Sequence, residues 1–189
     1  MTDIVGFAGS LNTPSRTRAL VDKATQRSAD LSGGKGTVFD LTDLGSRFGA
    51  VHDLAELDPQ PRAVVSRIVE ADALVIGSPV YKGSYTGLFK HLFDLIEPDA
   101  LKGKPVLLTA TGGGHRHALV IEHQLRPLLG FFEAAVVATG IYACSEDFTD
   151  GVLASPAVAA RLDIAAAQLA SAIAERAPAR QHEFAISAA

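Results

Sequence analysis

A chain of 189 residues, 48% hydrophobic and 20% charged, is long enough for one well-buried core and too short for two comfortable domains. Its formal charge is −4, and its 17 basic residues are scattered along the chain, which argues against nucleic acid as a partner. The single cysteine, Cys144, excludes an intrachain disulfide and a cysteine-built structural zinc site, and reads as a small apolar residue at a strand end.

The elements follow in chain order. Strands are expected near 3–8, 36–41, 73–78, 104–110 and 134–140, and helices near 15–31, 61–71, 85–96, 116–130 and 156–176. Short β-branched runs alternating with helical patterns predict an α/β three-layer sandwich with a parallel sheet covered on both faces. Right-handed crossovers then favour the five-stranded flavodoxin-like order 2-1-3-4-5. Residues 45–60 form a long polar connection of no readable conformation, and the domain is taken as 1–177 with a C-terminal tail at 178–189. The chain shows no leader pattern and no uninterrupted apolar run near the ~20 residues that span a bilayer, so no membrane partner and a cytoplasmic location are expected.

In this topology the loops after the first, third and fourth strands converge at the switch point. The first, "GSLNTPSRT", offers Ser10, Asn12, Thr13, Ser15 and Thr17 as donors around a helix start, with Arg16 or Arg18 as a counter-charge. It fits either an ordinary helix cap with Ser15 as N-cap or a monophosphate held without magnesium, because the Walker and G-x-G-x-x-G patterns are both absent. The second, "SPVYKGSYTG" at 78–87, presents main-chain amides suited to the edge of a flat heterocycle. The third, "TATGGGHRH" at 109–117, spends three consecutive glycines where a plain turn rarely needs them, which suits backbone approach to a planar ligand. His115 and His117 could ligate a metal, but no carboxylate or third histidine stands at ligand spacing, so no metal site is expected. A signalling receiver is excluded, since Gly9-Ser10 and Ser78-Pro79 stand where its acidic pair and phospho-accepting Asp would be.

"GSPVYKGSYTGLFKHLFDLI" followed by "ALKGKPVLLTATGGGHRHALVIEHQLRPLLGFF" resembles the NAD(P)H-dependent FMN reductases of the flavodoxin-like superfamily. Within that family the likeness is to the reductase components of two-component alkanesulfonate and methanesulfonate monooxygenases. It extends over roughly residues 4–145. The resemblance implies that Ser10, Ser15, Arg16 and Thr17, with Asn12 beside them, bind the FMN phosphate. It further implies that Pro79, Val80, Tyr81, Lys82, Gly83 and Ser84 lie along the isoalloxazine and ribityl, and that Thr111, Gly112, Gly113 and Gly114 meet the pyrimidine end. Where relatives carry an arginine-containing turn, this chain has Gly9-Ser10-Leu11-Asn12, which implies weaker FMN binding.

Hydride transfer from NADH or NADPH to FMN needs the two rings held about 3–3.5 Å apart and no side-chain acid or base, so no catalytic side chain is named. The absence of tryptophan and the modest charge favour a reductase that releases reduced FMN to an FMNH2-dependent monooxygenase. An FMN-retaining quinone or azo-dye reductase and a flavodoxin-type electron carrier are the alternatives. Lys82, Arg16 and Arg116 could each meet a ribose phosphate, and the resemblance leans to NADH. Leu88, Phe89, Leu92, Phe93, Leu95 and Ile96 cover more than one helical stripe, which predicts a homo-oligomeric surface, dimer or tetramer. Pro127 is expected to bend its helix. The resemblance places a one-residue insertion, forming a π-type bulge at a tetramer interface, at His123.

Overall fold

Each β-branched run does become a strand, and the order is the expected one. The computed structural model describes the backbone of residues 1–187 and the side chains of residues 1–176. Strands β1 (Asp3–Ala8), β2 (Lys35–Asp40), β3 (Ala73–Pro79), β4 (Pro105–Gly112) and β5 (Ala135–Val136) are all parallel and lie in the order β2-β1-β3-β4-β5. Helices α1 (Arg16–Ser32) and α5 (Pro156–Ser187) cover one face of this flavodoxin-like sheet. Helices α2 (Pro59–Glu70), α3 (Gly87–Asp94) and α4 (Arg126–Phe131) cover the other. The segment from 178 read as a separate tail lies outside the residues whose side chains are described.

The fifth strand departs from expectation. The run at 134–140 gives only Ala135–Val136, opposite Pro105 and Val106, and a sixth strand, β6 (Ile141–Cys144), resumes along β4 opposite Thr109 to Gly112. Side chains take over the backbone groups of the interruption. Arg126 donates to the carbonyls of Val137 and Ala138 at 3.1 and 3.2 Å, Arg161 donates to that of Gly140 at 2.6 Å, and the Thr139 amide donates to Gln168 at 2.9 Å. A short hairpin of β7 (Phe148–Thr149) and β8 (Val152–Leu153) follows.

The polar connection at 45–60 is better ordered than its composition suggests. Single 3₁₀ turns carry Leu41, Leu44, Phe48, Val51 and Leu57 into the core. Phe48 meets His91 edge-on at 5.0 Å, and the Phe48 carbonyl lies 3.2 Å from His91 Nε2, so this segment covers the flank of α3. That explains the broad apolar stripe of α3 within one chain. Phe89, Leu92, Phe93 and Ile96 are buried, and Leu88 and Leu95 pack against them, so the stripe is no longer a reason to expect a second subunit.

Helix α1 packs closely on the sheet because Gly77 has no side chain. A Cβ there would lie 2.3 Å from Thr109 Oγ1 and 2.5 Å from Val21 Cγ2. The same tight contact leaves Thr109 Oγ1 buried with no hydrogen-bond partner among the described residues. Thr109→Val, which replaces that hydroxyl with a methyl of similar size, should raise the denaturation midpoint by an amount equivalent to about 1 kcal/mol. Residues Pro156–Arg176 of α5 have mean hydropathy 1.4 and enough length to span a bilayer by composition alone. Here Leu162, Ala165 and Leu169 bury one stripe against the α1 side of the core, and Asp163 pairs with Arg27 at 2.8 Å.

Candidate active site

The loops after β1, β3 and β4 meet over the carboxyl ends of the strands, as the topology requires. They enclose an open cleft of about 210 Å³ lined by Ser10, Asn12, Ser15, Arg16 and Thr17 from the first loop. Pro79, Val80 and Tyr81 come from the second, and Thr111, Gly112 and Gly113 from the third. Backbone and side chain lock the three together. Val80 N–H donates to the Thr111 carbonyl at 2.7 Å, Thr86 Oγ1 donates to the Gly9 carbonyl at 3.0 Å, and Asn12 Nδ2 donates to the Tyr81 hydroxyl at 3.4 Å. Thr17 and Thr111, both buried, share a 2.6 Å hydroxyl contact beneath the cleft.

At the first loop, both the capping and the anion-binding features are present. Ser15 is the N-cap of α1, its Oγ accepting from Arg18 N at 3.1 Å, which still leaves its hydroxyl proton for another acceptor. The first-turn amides of α1 have no acceptor within the helix and carry the positive end of its dipole. Of the two candidate counter-charges only Arg16 lines the cleft. Arg18 is committed to Asp40 at 2.6 Å, to Asp43 at 3.4 Å and to the Val38 carbonyl at 3.2 Å. Burial works against the Asp40 carboxylate, but hydrogen bonds from Thr42 and Arg18 outweigh it and hold the pKa below the usual value.

Four expected residues stand apart from the cleft lining. Tyr81 and Ser84 close a two-residue antiparallel turn through both backbone hydrogen bonds, with Lys82 and Gly83 at its tip at φ 53° and 86°. Both values are left-handed, the geometry that favours Asn-Gly in a hairpin, so Gly83 serves the turn itself. Lys82→Asn should therefore stabilise the fold by about 0.5–1 kcal/mol, read as a shift in urea midpoint at unchanged slope. Ser84 Oγ donates to Gln124 at 3.0 Å, and the Gly114 carbonyl accepts from the Tyr142 hydroxyl at 2.6 Å. Tyr142 also explains one of the three glycines, because a Cβ on Gly112 would sit 2.1 Å from its hydroxyl oxygen, whereas one on Gly113 would meet nothing.

Three lining residues escaped the sequence: Pro14, which follows a cis Thr13–Pro14 bond, and Cys144 and Phe148 from the chain after the interrupted fifth strand. No local pattern marks Cys144 or Phe148, since the unforeseen β6 and the turn after it bring them to the rim. Cys144 is buried, and burial together with the neighbouring Asp147 carboxylate pushes its thiol pKa up, which leaves it a neutral group rather than a nucleophile. His115 also acquires partners that spacing along the chain concealed. Its Nε2 lies 2.6 Å from Glu146 Oε1 and 3.7 Å from Cys144 Sγ.

The helix expected at 116–130 is divided. A 3₁₀ turn at His115–His117 is followed by a π-helical segment, Ile121–Leu125, and then by α4. His123 lies within the π segment, where the resemblance puts a π-type bulge, and Pro127 falls in the first turn of α4, where its missing N–H costs least.

A parallel sheet in this order, ending in a cleft with hydroxyls, a helix start and a guanidinium on one side and glycine backbone on the other, defines a flavodoxin-like protein. Residues 2–149 match the family model described as NADPH-dependent FMN reductase. The chain is 43% identical over 170 residues to the NADH-dependent FMN reductase SfnF of Pseudomonas fluorescens strain Pf0-1, covering 88% of this chain and 89% of that one. It is 42% identical over 167 residues to an FMN reductase (NADPH) of Pseudomonas aeruginosa, covering 88% and 90%. An oxidoreductase structure from Corynebacterium diphtheriae superimposes with TM-score 0.79 at 34% identity, covering 93% of this chain and 98% of that one. The chain belongs to the NADPH-dependent FMN reductase family. It is a flavin reductase, using NAD(P)H and FMN.

Proposed function

We propose that FMN is an exchangeable substrate of this cleft, reduced by NADH and released to a sulfonate-desulfonating FMNH2-dependent monooxygenase. The observation that carries the reading is the cleft itself. At about 210 Å³ it falls below the ~300–1,000 Å³ of pockets that enclose most of a drug-sized ligand, and its one lining tyrosine, Tyr81, is 52% exposed. No tryptophan exists to sandwich a ring. Such a site leaves much of a flavin in solvent, which suits turnover by release.

In this reading the residues divide the work. Ser10, Ser15 and Thr17 hydroxyls, the Asn12 amide and the Arg16 guanidinium hold the phosphate, and the first-turn amides of α1 add hydrogen bonds without magnesium. Main chain from Pro79 to Tyr81 lies along the ring, and Lys82 to Ser84 form the turn that extends that wall. Thr111 to Gly114 face the pyrimidine end, where backbone N–H groups can favour negative charge. When bound, FMN supplies the hydride acceptor, so no side chain needs to act as acid or base.

The NADH preference and the partner rest on the likeness to the reductase named SfnF. Leu119 and Phe131, 63% and 68% exposed on either side of the π segment, support a homo-oligomer, tetramer or dimer, assembled there in the cytoplasm. The test is an FMN titration paired with steady-state kinetics. The protein should purify colourless, bind FMN with a Kd on the order of micromolar, about −8 kcal/mol, and oxidise NADH only when FMN is added. A yellow holoprotein with nanomolar FMN that reduces quinones or azo dyes without added flavin would establish the retained-cofactor alternative instead.

A further inference from the structure

His115, Cys144 and Glu146 are separated by up to 31 positions in the chain but brought together by the 3₁₀ turn after β4 and the end of β6. We propose that these three residues form a binding site for a thiophilic divalent cation of the zinc type at the rim of the cleft. Their ligand atoms all lie within 4.8 Å of one another.

The spacing suits tetrahedral coordination. With Zn–S near 2.3 Å and Zn–N near 2.0 Å, sulfur and nitrogen on one ion stand about 3.6 Å apart. Cys144 Sγ lies 3.7 Å from His115 Nε2 and 3.8 Å from Nδ1, so the exposed ring must turn to aim one nitrogen at an ion held by the sulfur. The Nε2 to Glu146 Oε1 contact, at 2.6 Å, is a hydrogen bond and must open to the ~3.3 Å that two ligands keep on one ion. Little opposes that movement, because the side chains of His115 and Glu146 are each 73% exposed and free to swing on the solvent side. Asp147 Oδ2, 3.2 Å from the sulfur, stands within reach of the fourth position, which water can otherwise fill.

Donor chemistry selects the cation. One thiolate, one imidazole and one carboxylate suit zinc and its borderline neighbours, whereas magnesium and calcium want oxygen alone. A lone His115–Glu146 pair at this exposure would be an ordinary surface ion pair of little energetic weight. The thiol beneath both of them, buried on its own side and also lining the cleft, makes the cluster a ligand set. Coordination would replace the thiol proton and join the turn after Gly114 to the end of β6, two parts of the same wall.

Cobalt titration of the flavin-free, full-length protein tests the assignment without any reference to flavin chemistry, so its failure leaves the FMN reading standing. One Co²⁺ per chain should produce the near-ultraviolet sulfur-to-cobalt band and visible bands of tetrahedral strength, and Zn²⁺ should bleach both. Cys144→Ser should abolish the sulfur band, and His115→Ala and Glu146→Gln should each weaken binding about tenfold or more. Glu146→Gln alters only an exposed carboxylate, so it keeps the test decisive if Cys144→Ser fails to fold. A folded wild-type protein with no sulfur-to-cobalt band, or His115→Ala and Glu146→Gln binding as tightly as wild type, overturns the site.

Discussion

Arg16→Ala should raise the KM for FMN about 10- to 100-fold while leaving kcat nearly unchanged. Among the described residues Arg16 is the one arginine lining the cleft, and Arg18 is held by Asp40 and Asp43. A charge-assisted contact to phosphate is worth about 1.5–3 kcal/mol, which gives that range. The phosphate takes no part in hydride transfer, so its loss weakens ground state and transition state alike and appears in KM. Riboflavin supplies the control, because it carries the same ring and no phosphate. Wild type should favour FMN over riboflavin, and Arg16→Ala should erase most of that preference by weakening FMN alone. Equal losses with both flavins would show that Arg16 supports the fold or the ring and not the phosphate.

Asp40→Ala should lower stability by about 2–4 kcal/mol at neutral pH, a fall of roughly 5–15 °C in Tm for a domain of this size. The carboxylate is buried at the end of β2 and accepts from Arg18 at 2.6 Å, from Thr42 N–H at 2.8 Å and from the Thr42 hydroxyl at 2.5 Å. Arg18 is 41% exposed and screened by water, so the effect comes mainly from the lost hydrogen bonds and from the unfilled cap of the following 3₁₀ turn. The folded pKa of Asp40 lies below its unfolded value. Its contribution is therefore complete above the unfolded pKa of about 3.9 and fades as pH falls through the folded one. Urea denaturation should find wild type and variant well separated at neutral pH and drawing closer as pH falls below about 3.9. A gap that stays constant across that range would mean the Asp40 charge is not what stabilises.

Apolar periodicity and β-branched runs carried the sheet order, because strands buried on both faces leave a direct trace in composition. The three rim loops were legible for the same reason: Gly, Pro and hydroxyl residues cluster at Gly9–Thr17, Ser78–Gly87 and Thr109–Gly114, and the topology forces their meeting. The place of Lys82 at the tip of a turn was not legible, since a left-handed lysine leaves no mark on the sequence. Cys144 and Phe148 could not be seen because their position depends on a strand broken at Val137–Gly140, and that break is held by Arg126, Arg161 and Gln168, side chains 11 to 29 positions away on the flanking helices. The apolar width of α3 is legible in the sequence, but the part of the chain that covers it is not. Its cover is Leu44, Phe48 and Val51, which sit singly among polar residues and so give no period to detect.

That cover links places that look unrelated. Phe48 holds His91 on α3, α3 begins at the Thr86 cap, and the hydroxyl of Thr86 grips the carbonyl of Gly9 at the mouth of the first loop. A proteolytic nick or a circular permutation between Leu44 and Leu57 would thus release the far flank of α3 and, through it, the ligand-binding end of β1. Despite its polar composition, that stretch is a poor place to cut, tag or lengthen the chain.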